Sequence, residues 1–130
     1  MVFYLDTSAA VKLVVAEREA RVLAAWIADN DDRIVGSDLL RTELLRAVRR
    51  GAPEHMERAR GVLDAIDLLA LRTELCERAA DIDPVTLRTF DALHLACALD
   101  LGDELDGVVT YDDRLAAAPA EHGVTVIAPT

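Results

Sequence analysis

The stretch Val2-Phe3-Tyr4-Leu5-Asp6-Thr7-Ser8-Ala9-Ala10-Val11-Lys12-Leu13-Val14-Val15 decides the architecture. Val2–Leu5 is a short apolar run of β-formers without alternation, the pattern of a strand covered on both faces. Asp6-Thr7-Ser8 then supplies helix-capping chemistry, and Ala9–Val15 reads as a short helix. Working outward, Glu17–Ala28 is a second helix with Val22, Leu23, Trp26 and Ile27 as its apolar face, and Asn30-Asp31-Asp32 is a turn. Arg33–Gly36 is a second short strand. Ser37-Asp38 caps a helix to about Arg50, which Gly51-Ala52-Pro53 ends. A helix through about Ile66, a strand at Leu68–Leu71 and a helix at Thr73–Ala80 follow, and Asp83-Pro84 breaks the last. Thr89 caps an apolar helix from Phe90 to about Leu101, and Gly107–Thr110 and Val124–Ile127 are the final strands. Strands alternating with helices predict an α/β fold. The expected form is a three-layer α/β/α sandwich around a mostly parallel sheet of four or five short strands.

Composition excludes several other classes. The 130 residues predict a single domain spanning 1–130, large enough for a real core. An apolar content of 52% repays chain entropy, which excludes intrinsic disorder. A net charge of −10 argues against nucleic-acid binding by bulk charge alone, although bound metal ions reverse the local sign in an acidic cleft. Cys76 and Cys97 are expected to be buried, reduced thiols in a cytoplasmic protein, and His55, His94 and His122 are too scattered for a zinc site. Asp6 and Lys12 interrupt the opening apolar run, which has no basic leader, so export is not expected. No stretch reaches the roughly 18 uninterrupted apolar residues of a membrane span.

Parallel sheets gather functional groups beyond the carboxyl ends of their strands. Asp6 directly follows the first strand, and Asp112 lies two residues beyond Gly107–Thr110. Taken singly, Asp6 reads as a helix cap and Asp112 as a turn acid. Glu43 falls inside the apolar stripe of Leu40, Leu44, Ala47 and Val48, where a charge is costly unless paired. It either snorkels to water, pairs with Arg46, or has a function. Asp91 and His94 are the only polar members of a helix that is apolar almost all round. In its first turn, Asp91 also complements the helix dipole.

Considered together, the acids say more. A helix start lies at the same sheet edge as the end of the strand before it. Asp6, Glu43, Asp91 and Asp112 can therefore converge, although 37, 48 and 21 residues separate them. Four anions in a partly dry cleft repel one another, and hard divalent cations remove that cost. An oxygen-only donor set selects Mg²⁺ or Mn²⁺ over zinc. Such a site suits phosphodiester hydrolysis: one metal lowers the pKa of the attacking water, and a second can stabilise the leaving oxygen. Thr7, Ser8 and Thr110 flank the acids and can hold water or a carboxylate, with capping the plainer role for Thr7.

Four strings, in order, resemble PIN-domain nucleases: Val-Phe-Tyr-Leu-Asp6-Thr-Ser-Ala-Ala, Ser37-Asp-Leu-Leu-Arg-Thr-Glu43-Leu, Phe90-Asp91-Ala-Leu-His-Leu-Ala-Cys-Ala and Val109-Thr-Tyr-Asp112-Asp-Arg-Leu. Length, order and spacing are similar to VapC toxins of bacterial toxin–antitoxin pairs. The resemblance implies a Mg²⁺- or Mn²⁺-dependent endoribonuclease that leaves 5′-phosphate and 3′-hydroxyl ends. It maps the acidic site, catalytic and metal-holding, onto Asp6, Glu43, Asp91 and Asp112. It further implies homodimerisation and a VapB-type antitoxin, whose arginine can enter the acidic site and compete with metal. Asp112 and Asp113 compete for the fourth position, and the Thr-x-Asp spacing favours Asp112. Asp113 and Asp38 are candidates for supporting the acids from behind.

Charge is unevenly spread: residues 41–60 carry +3, whereas residues 61–130 carry −10. Arg41, Arg46, Arg49 and Arg50 share the helix of Glu43, and Arg41, Arg46 and Arg49 are the candidates for RNA phosphates. A solvated face with arginines near the helix C-terminus explains them equally well. His94 reads as a satisfied core histidine and Lys12 as a surface lysine. Two rivals to the nuclease remain. A binding module could keep the fold without catalysis. A phospho-accepting receiver would need an Asp at the third strand's end and a late lysine, yet Lys12 is the only lysine.

Overall fold

The computed structural model describes residues 1–130. Five strands form one sheet: β1 (Val2–Leu5), β2 (Ile34–Ser37), β3 (Asp67–Leu69), β4 (Leu105–Val109) and β5 (Val126–Ile127). Their spatial order is β3-β2-β1-β4-β5, and all four pairings are parallel. Parallel neighbours require crossovers, and seven helices supply them. These are α1 (Thr7–Val14), α2 (Ala20–Ala28), α3 (Asp38–Gly51), α4 (Met56–Asp64), α5 (Thr73–Ala80), α6 (Thr89–Leu99) and α7 (Asp113–Glu121). The expected α/β/α sandwich is present, with the sheet wholly rather than mostly parallel. A receiver-type sheet runs 2-1-3-4-5, so this strand order excludes that alternative.

Successive side chains on each strand enter opposite layers. Leu5, Ile34 and Val109 pack with Ala9, Ala10, Val14, Leu23, Leu40 and Leu44, under α1 to α4. Tyr4, Val35 and Val108, one residue away on the same strands, pack with Leu75, Cys97 and Ala98 under α5 and α6. Gly36 permits the close return of α3 over β2: a Cβ there would lie 2.9 Å from Leu40 Cδ2 and 3.2 Å from Leu68 Cδ2. No helix is long and apolar enough to cross a membrane.

Several boundaries differ from expectation. Helix α1 starts at Thr7, because Asp6 itself is the cap. Helix α2 starts at Ala20 rather than Glu17, because the chain turns at Glu19, which has φ 68°. Lys12 fixes that turn, donating to the Arg18 carbonyl at 3.0 Å and pairing with Glu19 at 3.2 Å and Glu17 at 3.6 Å. Its side chain is only 13% exposed, so it is not the free surface lysine expected. Strand β4 begins at Leu105 and ends before Thr110, and β5 is reduced to two residues. Helix α7 was not anticipated: Pro119 disguises it, yet Leu115, Ala118 and Pro119 form its buried stripe. Both thiols are free as expected, but Cys76 is exposed, because α5 buries only Leu75 and Ala79.

Candidate active site

Chain order departs from β1 in both directions, toward β2 and β3 on one side and toward β4 and β5 on the other. The gap between β1 and β4 is thus the switch point, where open α/β sheets keep their ligand crevice. Asp6 stands at the end of β1, and Thr110 to Asp112 stand just beyond β4. The helix starts that follow β2 and precede β4 bring Glu43 and Asp91 to the same edge.

Asp6 is 4% exposed and almost fully engaged on one oxygen. Its Oδ2 accepts from Ser8 Oγ at 2.8 Å, Thr110 Oγ1 at 2.8 Å and the Ser8 amide at 3.3 Å. The hydroxyls are themselves held, because Ser8 Oγ accepts from the Tyr111 amide at 2.9 Å and Thr110 Oγ1 from the Asp112 amide at 3.1 Å. Oδ1 accepts no hydrogen bond and lies 3.6 Å from His94 Nε2. The cap contact and both hydroxyl contacts of Asp6 therefore fall on the same oxygen, and the other is left for the cleft.

Glu43 is held from two elements. Its Oε1 accepts from Thr7 Oγ1 at 2.7 Å and from His94 Nε2 at 2.5 Å. Thr7 thus contacts an acid rather than capping α1, and Glu43 pairs with Thr7 and His94 rather than with Arg46. Burial works against the Glu43 charge, but the His94 hydrogen bond and charge, with the Thr7 hydroxyl, hold its carboxyl below the ordinary range. His94 Nδ1 lies 2.8 Å from Tyr4 Oη, which is hydrogen-bonded to Ser37 Oγ at 2.9 Å. His94 is 2% exposed and satisfied, as a core histidine should be. It also orients Glu43, which the sequence reading missed. The available signal was spacing: Asp91 and His94 are i and i+3 on α6, hence on one face. Nothing in the sequence pointed to Tyr4 or Ser37.

Asp91 makes no hydrogen bond or ion pair. Burial, then the charges of Asp112, Asp6 and Glu43, push its carboxyl above the ordinary value, with His94 opposing. All four carboxylates thus share one field. Asp112 caps α7, accepting from the Arg114 amide at 2.9 Å on Oδ1. Asp113 is exposed one residue further, and its charge is not among those acting on Asp91. Asp38 is exposed too, 3.8 Å from Arg41 Nε, with no bond to the acids.

No three His, Cys, Asp or Glu side chains close around a single point. The donor set nevertheless fits a hard divalent cation: it is all carboxylate, Asp6 Oδ1 is unspent, and Asp91 is raised by burial and three like charges with no ion-pair partner. An acid whose folded pKa is raised binds more protons folded than unfolded. Its contribution to stability is greatest below the unfolded value, here near the ordinary 3.8, and is lost as pH rises through the folded one. Asp91→Asn should therefore raise the Tm of chelator-treated protein at neutral pH, with the gain shrinking toward pH 4. A lower Tm at pH 7 would show that Asp91 is not a repelled charge.

Beside the acids lies a cleft of about 650 Å³, lined among others by Thr7, Glu43, Arg46, Arg50, Leu71 and Phe90. Glu43, Arg46, Ala47 and Arg50 follow i, i+3, i+4, i+7 spacing, which puts them on one face of α3. Arg49 joins Arg46 and Arg50 in an adjoining depression. None of the three forms an ion pair, whereas Arg41 is turned to Asp38. Arg50 rather than Arg41 thus shares the cleft with Glu43.

Comparison with known proteins agrees with this geometry. The family model described as PIN domain matches residues 3–121. Ribonuclease VapC47 of Mycobacterium tuberculosis is 41% identical over 130 residues, covering 97% of this chain and 96% of that protein. Ribonuclease VapC46 of the same species is 39% identical over 127 residues, covering 98% and 97%. Among solved structures, Mycobacterium tuberculosis VapC20, a Sarcin-Ricin loop cleaving toxin, superimposes with a TM-score of 0.79 at 17% identity, covering 98% of this chain and 99% of its own. VapBC2 from Rickettsia felis, bound to a promoter DNA fragment, gives 0.73 at 13% identity with both chains fully covered. A PIN-domain model over most of the chain, and ribonuclease relatives over nearly all of it, place the protein in the PIN-domain family, with the VapC ribonucleases.

Proposed function

We propose that this chain is an endoribonuclease toxin that hydrolyses RNA phosphodiester bonds at the Asp6–Glu43–Asp91–Asp112 cleft, leaving 5′-phosphate and 3′-hydroxyl ends. The observation that carries the reading is the placement of four carboxylates at one sheet edge, where the charges of Asp112, Asp6 and Glu43 all act on Asp91, and hydroxyls and a histidine fix Asp6 and Glu43. The VapC ribonuclease relatives support it.

Residues 1–130 act as one nuclease domain. Ser8 and Thr110 orient Asp6, while Thr7 and His94 orient Glu43. Mg²⁺, with Mn²⁺ as a substitute, is the cation that Asp6, Glu43, Asp91 and Asp112 would hold, and it supplies a nucleophilic water at neutral pH and neutralises phosphate charge. Arg46 and Arg49 take RNA phosphates beside the acids. Replacing both by alanine should weaken RNA binding and reduce the salt slope by about two; an unchanged slope removes them from the interface.

The partners proposed are a VapB-type antitoxin and a second copy of the chain. VapBC complexes among the structural neighbours support the first. An antitoxin arginine presented to this cleft would compete with the cation for the carboxylates. The experiment is incubation of antitoxin-free protein with tRNA, rRNA and mRNA. Cleavage in Mg²⁺, its loss in EDTA, its return with Mn²⁺, and product 5′ ends that ligate directly are expected. Failure to cut any of the three in Mg²⁺ would leave a PIN-like binding module.

A further inference from the structure

The cleft has a wall that phosphodiester hydrolysis does not use. Five large hydrophobic side chains are exposed on the protein, and two of them, Phe90 at 58% and Leu71 at 36%, line this one cleft. The aromatic pairs elsewhere are Phe3 with Trp26 and Tyr4 with His94; the Phe90 ring is in neither and lies under no cation. Arg46 and Arg50 line the same cleft, and no acid neutralises them in a chain of net charge −10. Phe90 also directly precedes Asp91, so its Cα is about 3.8 Å from that of a proposed catalytic acid.

An exposed aromatic face, free guanidinium groups and a hydrolytic centre within one nucleotide's reach are the parts of a single-strand binding groove. Every base has a π-face, so an aromatic platform accepts any unpaired base but no base kept inside a duplex. Arginines hold the flanking phosphates without reading sequence. We infer that Phe90, with Leu71 at its edge, is a base-stacking subsite that seats an unpaired nucleotide next to the scissile phosphate, with Arg46 and Arg50 holding the neighbouring phosphates.

This inference rests on the ribonuclease reading, and its test keeps the two apart. Binding is measured for the full chain in Mg²⁺, in an Asp6→Asn background so that the probes survive. The probes are a labelled 12-nucleotide single-stranded RNA of mixed sequence and the same strand annealed to its complement. The parent should prefer the single strand. Phe90→Ala should weaken single-strand binding by about fivefold or more, the scale of one lost stack, and leave duplex binding unchanged. Phe90→Trp should keep the affinity, and Phe90→Leu, apolar but without a π-face, should behave as Phe90→Ala. Arg50→Ala should weaken both probes and lower the salt slope. The subsite is overturned if Phe90→Ala or Phe90→Leu binds the single strand as the parent does, or if both probes weaken equally. It is likewise overturned if Phe90→Ala spares RNA and weakens antitoxin binding instead, since the wall would then belong to a protein partner. A wild-type protein that cuts RNA while the Phe90 series stays flat removes the subsite alone. A parent that binds neither probe and a wild type that cuts no RNA remove the ribonuclease reading with it.

Discussion

Asp6→Asn is expected to reduce RNA cleavage by about 10³-fold, the scale on which one charge-stabilising group matters in a water-poor site, while the protein remains folded. The asparagine has the shape of the aspartate, and its carbonyl can still accept from the Ser8 and Thr110 hydroxyls that hold Oδ2. What it lacks is the negative charge on Oδ1, the oxygen the fold leaves unspent. One charge fewer also relieves Asp91, which feels Asp6 directly. The Tm of the chelated variant should therefore equal or exceed that of the parent. The stabilisation that Mn²⁺ confers on the parent by binding the native state should shrink. Cleavage at the parental rate by a folded Asp6→Asn protein would remove this carboxylate from the chemistry.

Leu44→Ala should have the largest effect on stability. Leu44 is fully buried in the core that α1, α3 and α4 build over the sheet. Truncating a buried leucine costs about 2–5 kcal/mol, because transfer free energy is lost and the cavity closes only partly. A domain of this kind has roughly 5–15 kcal/mol in all, so the variant should lose a large fraction of it. The readout is the urea midpoint at constant m-value. Leu45 is only half-buried, so Leu45→Ala is the control and should cost less. Because Leu44 adjoins Glu43, slackening here also loosens the carboxylate, and activity should fall further than the folded fraction accounts for. A midpoint equal to that of Leu45→Ala would show that this part of α3 is not anchored by its stripe.

How much the sequence disclosed depended on whether a signal was local. Val2–Leu5 followed by Asp6 carries both its strand and its cap in adjacent residues, so that corner was legible. Glu43 stood out because a charge interrupts an apolar stripe. Its partner did not, since Thr7 and His94 are 36 and 51 residues away and no periodicity encodes their meeting. His94 shows the ambiguity of burial: an imidazole inside an apolar helix looks the same from sequence whether it faces oil or a carboxylate. Helix α7 was hidden by Pro119, although a crossover between two parallel strands had to exist there. The acids fell at the expected sheet edge because the strand-end rule concerns topology. Exposed Phe90 and Leu71 gave no sequence signal, for apolar residues are presumed interior until the fold turns them out.

The pairing of β1 with β4 also sets a timetable. Thr110, which fixes Asp6, lies 104 residues downstream of it, and β4 must insert beside β1 before that contact exists. Ribosomes add about 5–20 residues per second, so the nascent polypeptide spends seconds with its first acid made and no pocket around it. Thr110 and Asp112 lie in the last fifth of the 130 residues, so the acidic cleft is completed only at the end of synthesis. A chain that ends before β4 lacks Thr110, Tyr111 and Asp112, and with them the contacts that hold Asp6 and Ser8 from that side.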